Sequence, residues 1–159
     1  MKLFIGYIKN SLTILLCGIF LLGEIWLQAA KAPLSQEQLD DQSELIISGQ
    51  IVVVGSEVKK STVVRGLGVF RDRIYTIKVK VRVAHKMCPD RALLNDLQIV
   101  EAWSPVTRIP PTPGLQGHES IPKKGAEVKM YLKWNKTKAL WEPLLPNGIE
   151  IIKKAKKLK

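Results

Sequence analysis

The chain has 159 residues, 46% of them hydrophobic, and carries a formal net charge of +11. That apolar share excludes wholesale disorder, and two cysteines, Cys17 and Cys88, cannot build a disulfide framework within an exported body that retains only Cys88. The charge is uneven: from Pro33 onward 22 Lys and Arg face 13 Asp and Glu, and five of those cations crowd into the last seven residues.

The N-terminus pairs Lys2 and Lys9, with no acid before residue 11, with an apolar run over 11–27 broken only by Glu24 and small or hydroxyl residues. A cationic stretch, an apolar stretch and small residues (Ala29, Ala30, Ala32) are the parts of a secretory signal. Lysines ahead of the run predict an N-terminus inside and the remainder outside. Residues 1–32 therefore read as a signal anchor or signal peptide forming an apolar helix. Pro33 disfavours cleavage after Ala32, which favours the anchor. Residues 33–43 are polar and read as a linker or a short helix, with Ser35 and Gln38 in capping-box spacing.

A β-rich body is expected over 44–152. The first strand spans 44–54, with Gly49 predicting a bulge or bend. Residues 55–68 read as a loop. The second strand lies in 69–83, where Tyr75, Ile77, Val79, Val81 and Val83 alternate with Thr76, Lys78, Lys80 and Arg82. Alternation of period two gives one buried and one wet face. Residues 84–95 form a loop with a helical turn at 91–94, and 97–103 a third strand. The Pro- and Gly-rich stretch 104–125 reads as a long irregular loop. In 127–134 the pattern sends Val128, Met130, Leu132 and Trp134 inward and Lys129, Tyr131 and Lys133 outward. Short strands at 140–143 and 149–152 close the body, and a basic tail follows over 153–159. Trp103, Trp134 and Trp141 are expected in the core or at its mouth.

This pattern predicts an all-β fold, a small antiparallel barrel of OB-like kind, because closure removes exposed strand edges. The segments 47–52, 75–79 and 124–132 resemble the netrin-like and tissue-inhibitor-of-metalloproteinase domains, which are exported OB barrels. Protease inhibition does not carry over, since those inhibitors use an exposed N-terminal cysteine and a disulfide set that this chain lacks. The whole chain also resembles exported proteins of cyanobacterial type.

For function, the expectation is a non-enzymatic, membrane-tethered module outside the cytoplasm that needs no cofactor or metal and binds a protein or an envelope component. Its contact surfaces are expected on the 104–122 loop and on the wet strand faces, with Lys78, Lys80, Arg82, Lys129, Tyr131 and Lys133 as candidates. In the tail, Lys153, Lys154, Lys156, Lys157 and Lys159 are candidates for anionic lipid. A competing reading makes His85 and Cys88, with His118, a metal or thiol site. A third reading takes the basic and aromatic strand faces as a nucleic-acid surface, which export disfavours.

Overall fold

The computed structural model describes residues 32–62, 67–88, 97–112 and 116–153. The predicted N-terminal helix, the helical turn at 91–94 and four of the five tail lysines (Lys154, Lys156, Lys157 and Lys159) lie outside these residues. Among the described residues no helix is long and apolar enough to cross a membrane.

The described residues are mostly β, with one short helix, α1 (Gln36–Gln42), ahead of strands β1 (Leu45–Lys60), β2 (Val69–Lys86), β3 (Leu97–Ile109), β4 (Glu127–Asn135), β5 (Leu140–Pro143) and β6 (Ile149–Lys153). Helix α1 starts where the capping box predicts. The Ser35 hydroxyl accepts from the Gln38 N–H, and the Gln38 side chain accepts from the Ser35 N–H.

The strands pair in the order β1-β2-β3-β5-β4-β6, and β1 also pairs with β4, so the first five form a ring. The expectation of a purely antiparallel arrangement needs correction. β3 and β5 run parallel, meeting at Val100 and Trp141, while the other pairings are antiparallel. The reason is topological: directions cannot alternate all the way around a ring of five strands, so one pair must be parallel.

Most of the alternating residues behave as their period requires; Val83, expected inward, is instead 49% exposed near the end of β2. Ile77, Val79, Val128, Met130 and Leu132 are fully buried, packed with Leu45, Ile47, Ile51 and Val100 inside the ring. Gly49 sits at a register shift between β1 and β2. A Cβ there would collide with the Lys80 carbonyl oxygen, so only glycine allows the two strands to approach this closely. Outside the ring, α1 covers a second apolar cluster made of Leu39, Ile46, Tyr131 and Leu144.

Three strands outrun their predicted limits. β1 continues to Lys60, through residues read as a loop, β2 to Lys86, and β3 to Ile109, into the segment read as irregular. The cause is cooperative pairing: Lys60 faces Arg71 and Ile109 faces Val69, so each polar or Pro-containing stretch gains a neighbour that its own composition does not announce. β4 and β5 are much shorter. Half of the long β1–β2–β3 sheet therefore projects beyond the ring.

Candidate functional site

On the outer face of β2 and β3, strand alternation places Asp72, Ile74 and Thr76 beside Pro105, Trp103 and Glu101. Two hollows open there. One, of about 510 Å³, is lined by Lys59, Lys60, Asp72, Ile74, Glu101 and Lys138. The other, of about 410 Å³, is lined by His118, Lys133, Lys136 and Leu145. Both are walled by Trp103, Asn135 and Glu142, so these three residues stand between two compartments of one groove.

The groove is held by hydrogen bonds that its residues make with one another. Asn135 Oδ1 accepts from the backbone N–H of Thr137 and of Lys138, each at 3.0 Å, which shapes the β4–β5 turn. Lys138 Nζ then reaches Glu101 on β3 at 2.5 Å and Glu142 on β5 at 2.8 Å. Burial works against the Lys138 ammonium, but the bonds to Glu101 and Glu142 outweigh it and hold its pKa above the usual lysine value. Asp72 is tied to Arg108, whose guanidinium also donates to Gln116 and to the Arg71 and Thr107 carbonyls.

His118 sits at the point where β3 and β5 part. Its Nε2 is 3.1 Å from the Pro143 carbonyl oxygen and must donate to it. Its Nδ1 lies 3.1 Å from both the N–H and the carbonyl oxygen of Trp103. A neutral ring with its proton on Nε2 donates to Pro143 and accepts from the Trp103 N–H, whereas a charged ring donates to both carbonyls. Burial lowers the pKa below 6.5, against the opposing pull of the Pro143 and Trp103 carbonyls and of Glu142. Both ring nitrogens of His118, the third candidate ligand, lie within hydrogen-bond distance of backbone groups of Trp103 and Pro143. His85 lies instead on β2, exposed, with Nε2 2.8 Å from the Ser48 hydroxyl. Cys88 is half-buried against the main core. Among the described residues no group of three or more His, Cys, Asp or Glu side chains is placed to hold a metal.

The candidate binding residues divide. Lys78 and Lys80 are exposed on β2, on the same outer face as the groove. Arg82 reaches across to Glu127 at 2.9 Å. Lys133 lines the smaller hollow. Lys129 stands with Nζ 4.9 Å from the centre of the Tyr131 ring, and a side-chain hydrogen bond with Tyr131 raises its pKa, against a smaller effect of burial. Tyr131 requires correction. It points outward from β4, as alternation demands, yet it is buried under α1, and its hydroxyl accepts from Gln36 Nε2 at 2.8 Å. A helix packed on that face takes it away from any partner. The 104–122 loop is also not the free surface expected. Its first part is strand, Pro122 and His118 are buried, and Glu119 N–H donates to the Pro146 carbonyl.

Trp103, expected in the core or at its mouth, is half-buried on the outer face, and its position opposite in parity to Val100 and Ala102 was the visible signal for that placing. Trp141 is buried in the core, with Trp134 edge-on to it at a ring separation of 5.2 Å. No family model, curated protein or solved structure matches this chain.

Proposed function

We propose that this chain is a non-enzymatic binding module, held at a membrane outside the cytoplasm by residues 1–32, whose body is an OB-like barrel with its ligand seated in the Trp103 groove. The membrane placement rests on the cationic and apolar pattern of the first 32 residues. The barrel reading rests on the ring of five strands with one parallel pair. OB barrels take ligands on the β2–β3 face, beside the β1–β2 and β4–β5 turns, and the groove occupies that region. A partner protein or an envelope component is the occupant this reading favours.

The observation that carries the proposal is the placing of a large aromatic between two hollows on an outer strand face. Half-buried aromatics of this kind dominate the energetics of recognition. The carboxylates around it are neutralised by Lys138 and Arg108. Such pairing suits a preformed binding surface, whereas an acid or base catalyst needs a proton to exchange.

The test uses the full chain as bait in detergent-solubilised membranes, with captured partners identified by mass spectrometry. Trp103→Ala should lose a partner that the wild type and Lys129→Ala both retain. Recovery of the same partner at equal yield with Trp103→Ala would overturn the assignment.

A further inference from the structure

The projecting half of the β1–β2–β3 sheet has two unlike faces. Its acids, Glu57 and Asp72, both lie on the outer face, where Glu57 pairs with Lys59 and Asp72 with Arg108. The opposite face continues the inward side of the ring past its end, where no strand or helix among the described residues covers it. There Arg71 and Arg73 follow Tyr75 and Ile77 in strand parity. Both cations are exposed. Beyond them come Val69 and its partner Ile109, 49% and 59% exposed, and then Leu67 in the turn, fully exposed.

The order along the sheet is therefore an apolar tip, then a band of cations, with no acid on that face. We infer that this face docks on an anionic lipid surface, with Leu67, Val69 and Ile109 at the acyl boundary and Arg71 and Arg73 at headgroup level. Interfacial binding combines these two elements: buried apolar area and attraction to anionic lipid. A second copy of the chain would bring the same cations together and be repelled. The inference rests on the membrane placement proposed above and adds which surface meets the lipid. The basic tail, the surface expected from sequence, is not required for it.

The test places a photoreactive phenylalanine at position 109 of the full chain, with position 133 as control. The protein is incorporated into vesicles of phosphatidylcholine, or of an equimolar phosphatidylcholine–phosphatidylglycerol mixture, and lipid adducts are weighed. The adduct at 109 should form in the mixed vesicles and fall about tenfold or more in Arg71→Glu/Arg73→Glu, since each cation near a charged leaflet contributes on the order of 1 kcal/mol. An unchanged thermal melt shows that this exposed pair can be reversed without unfolding the chain. Equal adducts in both vesicle types, or stronger adducts at 133 than at 109, overturn the inference. Adducts at 109 to a protein rather than to lipid in intact cells overturn it in favour of an acidic partner. If the chain fails to float with neutral vesicles, the tether of the proposed function falls. The docking face is then judged by flotation with the mixed vesicles alone, where no binding, or binding unchanged in the double variant, rejects it.

Discussion

At the scale of single residues, two buried polar groups hold the groove together, and each predicts a measurable cost. His118 is neutral in the folded chain and has a lowered pKa. The unfolded chain therefore binds its proton first as pH falls through about 6.5, and stability drops on acidification below that value. The slope from one such histidine approaches about 1.4 kcal/mol per pH unit. Urea titrations of the wild type and His118→Gln between about pH 7.5 and pH 5 should differ by this component. Parallel pH profiles would show that His118 is not the sensing group. The Asp72–Arg108 pair is almost wholly removed from solvent, with side chains 7% and 10% exposed. Breaking it with Asp72→Ala leaves a buried guanidinium and should cost about 3–5 kcal/mol. Replacing both partners together, as Asp72→Leu/Arg108→Met, should recover much of that loss. If the double variant is as unstable as the sum of the two single changes, the ion pair is not the coupled unit described here.

At the scale of elements, β1 shows how one backbone position shapes a strand. It has buried residues on one side at Leu45 and Ile47 and again at Ile51, with the register shift at Gly49 between them. This lets the strand pair with β4 along its first half and with β2 along its whole length. Gly49→Ala forces a methyl group into the Lys80 carbonyl and should lower stability by about 1–3 kcal/mol in urea unfolding. An unchanged midpoint would mean that the strands separate there at no cost. Alternation in β2 and β4 was plain in the sequence because the period of a strand is a local property. The outward continuation of β1 and β3 was not, because Ser56, Glu57, Lys59 and Lys60, or Pro105 and Arg108, become strand only by pairing with β2.

At the scale of the whole molecule, ring closure is what creates the sites. It brings Trp103 of β3 beside Glu142 of β5 and Asn135 of β4, and it leaves the longer strands overrunning the shorter ones. The all-β character and the inward residues Ile77, Val79, Val128, Met130 and Leu132 could be read from the chain alone, since hydrophobic period and turn residues act over a few positions. So could the cap of α1 at Ser35 and the kink at Gly49. Tertiary structure alone decided that Tyr131 lies under a helix, that His118 bridges Trp103 and Pro143, and that β3 meets β5 in parallel. Each of these outcomes depends on residues 15 to 95 positions apart in sequence meeting when the ring closes. A pattern confined to neighbouring residues carries no record of such meetings.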